Sequence, residues 1–187
     1  DKVINSAASG VWNLQDQYDY RRGNNWPSTD NAAPTYGIWF GGYSGQRYNT
    51  IQRININSLG NAEDFGNLSV IASGTAACCS TTRAVSALGS GASDNINTMD
   101  YVTVASTGNA TDFGDTTVAR GFLGGSSNST RGIFAGGYGG GANQNVIDYI
   151  TIASTGNATD FGNLSATATD TKASSSPTRT VIAFGIS

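Results

Sequence analysis

The chain has 187 residues, enough for one domain with its own core, and a formal net charge of −3. Only 12% of its residues are charged, against ~25% in ordinary globular domains, and this leaves no basic stripe for nucleic acid, while no apolar run approaches the ~18 residues that would insert in a membrane. It contains no histidine, which excludes His-based acid–base catalysis, Ser-His-Asp triads and most zinc and copper sites.

Residues 1–35 form a first region, distinct in wording from the rest of the chain. Val11, Trp12, Leu14 and Tyr18 recur near helical spacing, with Ser9 as an N-cap and Gly23-Asn24-Asn25 as a stop. A short N-terminal helix is therefore expected. It is followed by a connector bracketed by Pro27 and Pro34 that carries Trp26. A helix of this length must dock on something, which makes Val11, Trp12, Leu14, Tyr18 and Trp26 the candidate anchor to the first repeat or to a partner.

Residues 36–187 repeat with a period of about 48 residues. Asn61-Ala-Glu-Asp-Phe-Gly66 returns as Asn109-Ala-Thr-Asp-Phe-Gly114 and Asn157-Ala-Thr-Asp-Phe-Gly162. Each repeat reads as four strands. The first is Gly37–Tyr43, with counterparts at Ala84–Ser90, Gly132–Tyr138 and Thr180–Ile186. The second is Ile51–Asn57, Met99–Ala105 or Ile147–Ala153, where Ile54/Ile56, Val102/Val104 and Ile150/Ile152 alternate with polar residues on a half-buried strand. Gly60-Asn61, Gly108-Asn109 and Gly156-Asn157 predict tight hairpin turns into a third strand. A second break after Asp-Phe-Gly introduces a short fourth strand, and a Ser/Thr-rich loop with Cys78 and Cys79 closes the unit.

The expected fold is all-β: three four-stranded antiparallel repeats like β-propeller (kelch) blades. Propellers typically have four to eight blades, so three repeats predict an incomplete ring completed by oligomerisation, or a three-sided prism. The first strand has four copies and the others three, and the spare one is expected to pair with the blade at the other end and hide an edge.

Asp-Phe-Gly is the magnesium motif of protein kinases, but no other kinase motif is present. Phe65, Phe113 and Phe161 are expected to plug blade cores, with Asp64, Asp112 and Asp160 bonding turn amides. The adjacent cysteines suit neither a relaxed disulfide nor a metal site, so no metal, cofactor or catalytic residue is assigned. Arg83, Arg131 and Arg179 recur with the repeat and are expected to bridge blades. The residues that break the pattern, Trp39, Tyr43, Arg47 and Tyr48 with Tyr138, are the candidate ligand platform, because exposed aromatics suit sugar or protein contact.

The wording of residues 130–138 (Thr-Arg-Gly-Ile-Phe-Ala-Gly-Gly-Tyr) and 145–162 resembles a kelch-like repeat of structural proteins of tailed bacteriophages, the marine and cyanobacterial ones especially. Gly10-Val-Trp-Asn-Leu-Gln-Asp-Gln-Tyr-Asp-Tyr-Arg-Arg22 and Asn25-Trp-Pro27 resemble a lead-in segment of such proteins. The first repeat departs from the pattern, with Gln52-Arg53 for Asp-Tyr and Glu63 for Thr. The resemblance implies a non-enzymatic virion protein, either a tail-fibre or appendage head or a capsid or tail decoration protein. Other virion proteins, further copies of the chain and a host-surface glycan are the partners it implies. The rival classes are a lectin-like repeat protein and a propeller glycosidase, which needs two carboxylates flanking a cleft.

Overall fold

The computed structural model describes residues 36–185, and the helix and anchor residues expected within 1–35 lie outside them. The described residues form no helix. Their strands make four consecutive antiparallel sheets. The first sheet holds β1 (Tyr36–Tyr43), β2 (Arg47–Asn55) and β3 (Glu63–Ala72). The second holds β4 (Ala76–Cys79), β5 (Arg83–Ala87), β6 (Thr98–Thr103) and β7 (Thr111–Asp115). The third contains β8 (Gly124–Ser127), β9 (Arg131–Ala135), the short β10 (Tyr138–Gly139), β11 (Ala142–Thr151) and β12 (Thr159–Ala168). The fourth is a hairpin of β13 (Lys172–Ser175) and β14 (Thr180–Ala183).

The repeat is confirmed as a sheet-forming unit, but two expectations about its strands are corrected. The break after Asp-Phe-Gly does not start a new strand in any of the three repeats, and β7 runs through Gly114. β3 and β12 run through Gly66 and Gly162, whose φ values of 151° and 137° make a bulge against β2 and β11. The fourth strand lies further on, in the stretch read as a Ser/Thr-rich loop. β4, β8 and β13 each pair with the first-type strand that comes after them. These strands carry almost no apolar signal because they lie side by side in close packing. A Cβ added to Gly125 of β8 would stand 2.6 Å from the carbonyl of Ala77 in β4. Ser127 Oγ donates to the Cys79 carbonyl, and Ser126 and Ser175 bond through their hydroxyls. Small residues are what this spacing admits.

The cysteines are accordingly on a strand, not in a loop. Cys78 is buried against Gly132, where a Cβ would come within 2.3 Å of its sulfur, and Cys79 points outward. Burial, helped by the neighbouring Cys79, pushes the Cys78 thiol far above its ordinary value. Native protein is therefore expected to lose one thiol rapidly to iodoacetamide at pH 8, mapped to Cys79, and the second only on unfolding. Because the folded state holds the Cys78 proton more tightly, its contribution to stability is complete below the unfolded thiol value of about 8.5 and declines as pH rises past it. Equal alkylation rates at the two sulfurs would contradict this placement.

The core lies between sheets. One cluster joins Phe40, Ile51, Phe65 and Leu68 of the first sheet and its flanks to Leu88, Val102 and Val104 of the next. A second joins Val85, Met99, Phe113 and Leu123 to Phe134, Ile150 and Ile152. The period-two alternation of β6 thus serves two cores, sending Val102 to the first and Met99 to the second. Burial of each apolar face depends on the neighbouring repeat, as in other repeat arrays.

The spare first-type strand β14 pairs with β13 beside it, not with the first sheet. Its counterparts β5 and β9 each have a strand on both edges, whereas β14 has one among the described residues.

Candidate functional site

The repeated words meet at the joints between sheets. From the first sheet to the second, Gly108 N–H donates to the Phe65 carbonyl at 2.8 Å and Ala110 N–H to the Asn67 carbonyl at 2.8 Å. Asn109 returns its side-chain oxygen to the Asn67 N–H at 3.0 Å. From the second to the third, Gly156 N–H reaches the Phe113 carbonyl at 2.7 Å and Ala158 N–H the Asp115 carbonyl at 2.7 Å, while Asn157 accepts from Asp115 N–H at 3.0 Å. Gly-Asn-Ala of one repeat is therefore a clasp for Asp-Phe-Gly-Asn/Asp of the repeat before it. It is not the two-residue hairpin turn expected, since the strands part over residues 56–62, 104–110 and 152–158. The glycine of Asp-Phe-Gly is required by approach as well as by conformation. A Cβ on Gly66 would lie 2.2 Å from the Gly108 carbonyl oxygen, and one on Gly114 2.5 Å from that of Gly156.

A buried aspartate completes each joint. Asp100 accepts from Ser69 N–H at 2.7 Å and Ser69 Oγ at 2.9 Å. Asp148 accepts in the same way from the N–H and hydroxyl of Thr117, and also from Arg120 at 2.9 Å. Both side chains of that ion pair are fully buried. Arg120 also donates to the carbonyls of Gly136, Val118 and Phe134, tying the loop before β8 to β9 and its following bend. Arg83 bridges sheets as expected, donating to the Ile152 carbonyl at 2.9 Å while its guanidinium stacks over Tyr101. Arg131 stacks likewise over Tyr149.

The third joint is half made. Phe65 and Phe113 are 2% exposed, but Phe161 is 55% exposed and so does not plug a core as expected. Asn163 and Ser165 are exposed, as are their counterparts Asn67 and Ser69; the difference is that among the described residues no following Gly-Asn-Ala or aspartate bonds them as Asn109 and Asp100 bond Asn67 and Ser69. A cleft of about 310 Å³ opens here, lined by Phe161, Ile133, Ile147 and Ile182 with Arg131 and Arg179.

The predicted platform residues do not gather into one site. Tyr43, Arg47 and Tyr48 share the β1–β2 hairpin, with Tyr43 opposite Arg47, and both tyrosines are exposed. Arg47 is already engaged, donating to Ser73 Oγ at 3.1 Å and to the Ala92 carbonyl. Tyr138 lies in the third sheet, held by backbone bonds to Gly121 and by the Asn95 amide on its carbonyl. Trp39 is 53% exposed at the register of Phe134, which is fully buried between sheets, so with half-exposed Ile54 and exposed Ile56 it marks a face of the first sheet on which no other sheet of the described residues packs. Asp160 bonds the Gly162 amide at 3.2 Å as expected of a turn aspartate. Among the described residues no three His, Cys, Asp or Glu side chains converge.

The residues overlooked in the sequence are Asp100, Asp148, Ser69, Thr117 and Arg120. The signal was present for the aspartates: an ionisable residue on a strand that otherwise alternates cleanly, recurring at the repeat period, is a buried partner waiting for its donor. Compared with known proteins, the chain matches no protein-family model, and no curated protein matches it.

Proposed function

We propose that the chain is a structural protein of a bacteriophage virion, built of propeller-like blades and used as an appendage head or decoration module, not as an enzyme. The single observation that carries the reading is that the words through which the sequence resembles phage structural repeats are spent on joining repeat to repeat. Gly-Asn-Ala and Asp-Phe-Gly are consumed by the clasp, and the two buried aspartates by backbone and hydroxyl donors. β4, β8 and β13, lying side by side, suit the inner strands of successive blades about a common axis. The polar, weakly charged surface suits a particle exterior, and Tyr43 and Tyr48 offer a face for a host glycan.

Imaging of particles from a host producing the protein tests this reading. Density fitting residues 36–185 on the outside of capsid or tail is expected, and particles lacking it would overturn the assignment. Hydrolysis of a host polysaccharide, abolished by one Asp or Glu substitution, would instead establish the glycosidase reading. Loss of glycan-array binding on Tyr43→Ala with Tyr48→Ala would place the glycan contact on the β1–β2 hairpin.

A further inference from the structure

The two completed joints specify what the incomplete one takes. In each, a hairpin of the following repeat covers the Asp-Phe-Gly face. It brings an aspartate (Asp100 or Asp148) to a Ser or Thr donor, two aliphatic residues (Val102 and Val104, or Ile150 and Ile152) to the buried Phe, and Gly-Asn-Ala to the clasp. At the third face the receiving groups are present without such a partner among the described residues: the Phe161 ring is 55% exposed where Phe65 and Phe113 are buried, and no hairpin bonds the Phe161 carbonyl, Asn163 or Ser165 as one bonds their counterparts. β13 and β14 already stand where β4 and β5 stand in the second sheet, and the outer edge of β14 has no strand among the described residues. An unpaired edge beside an apolar hollow is the arrangement that accepts added strands.

We propose that the cleft beside Phe161 is a docking site for a β-hairpin built to this repeat's own pattern, with Asp at the position of Asp148 and Gly-Asn-Ala in its returning arm. The hairpin extends the sheet from β14, sets its aspartate on the N–H and hydroxyl of Ser165, and clasps the Phe161 carbonyl and Asn163. The first sheet of a second copy does not fit this site. It would bring β1 to the place β14 already fills, and it presents Gln52 where the joint uses aspartate. The proposal goes beyond the virion reading and stands or falls without it.

The experiment adds a peptide of residues 142–163 to the isotope-labelled full chain and tracks amide hydrogen exchange residue by residue. Exchange at Asn163 and Ser165 is expected to slow by at least about tenfold at saturation, approaching that of their counterparts Asn67 and Ser69. Phe161→Ser in the chain weakens peptide binding by about tenfold or more, and D148K in the peptide abolishes it. An isolated hairpin is marginally stable, so a second arm appends a copy of residues 140–163 after Ser187. This keeps the register, because Ser187 stands 48 residues after Gly139. Here the same two amides become protected without added peptide. The proposal is overturned if both arms leave Asn163 and Ser165 in fast exchange, if protection appears only on the Trp39 face, or if the unmodified chain dimerises with these amides already protected.

Discussion

Asp148→Ala is expected to destabilise the protein by about 3–5 kcal/mol, the cost of leaving a buried charge without its partner. Arg120 is the largest fully buried side chain among the described residues, and its guanidinium has only backbone carbonyls once the carboxylate is gone. Thr117 loses the acceptor of both its N–H and its hydroxyl in the same step. Arg120→Met is expected to cost less. It leaves Asp148 with the two donors of Thr117, the arrangement in which Asp100 already exists with Ser69 and no cation. Chemical denaturation of the three proteins gives the order wild type, R120M, D148A. An arginine variant less stable than the aspartate variant would mean that the guanidinium matters chiefly for its carbonyl bonds.

Phe113→Ala and Phe161→Ala change the same residue of the same word and are expected to differ several-fold in cost. Phe113 is packed between sheets with Val85, Met99 and Ile150, so its removal opens a cavity worth about 3–5 kcal/mol. Phe161 keeps an edge-to-face contact with Tyr149, as Phe113 does with Tyr101, but its other side is open. Its loss is expected to cost under about 1 kcal/mol. Thermal unfolding of the pair reads the difference directly. Near-equal losses would show that Phe161 is covered in solution, and by something other than the described residues.

Much of the architecture was legible in the sequence because it is written in period-two strands. β2, β6 and β11 announce themselves through Ile54, Val102, Val104, Ile150 and Ile152, and the structure moves only their ends. β4, β8 and β13 were not legible. Ala76–Cys79, Gly124–Ser127 and Lys172–Ser175 are strands because their backbones pair, and apart from exposed Lys172 their side chains are small, as the approach of β8 to the Ala77 carbonyl of β4 requires. Composition alone makes such a segment resemble a loop. The clasp escaped for a related reason: Gly-Asn favours both a tight turn and an irregular inter-sheet contact, and only the position of the partner carbonyl separates the two. The candidate platform failed as a group because exposure has two sources here. Trp39 is exposed where its counterpart Phe134 is buried by the preceding sheet, whereas Tyr43 and Tyr138 sit at strand ends.

Above all, the repeated words exist to join one repeat to the next. Residue-resolved hydrogen exchange on the unmodified full chain tests this most directly. The amides of Asn67, Ser69, Asp115 and Thr117, which donate to Asn109, Asp100, Asn157 and Asp148, are predicted to exchange only through extensive unfolding, and those of Asn163 and Ser165 to exchange far faster. Equal exchange at all three copies of the word would contradict that role.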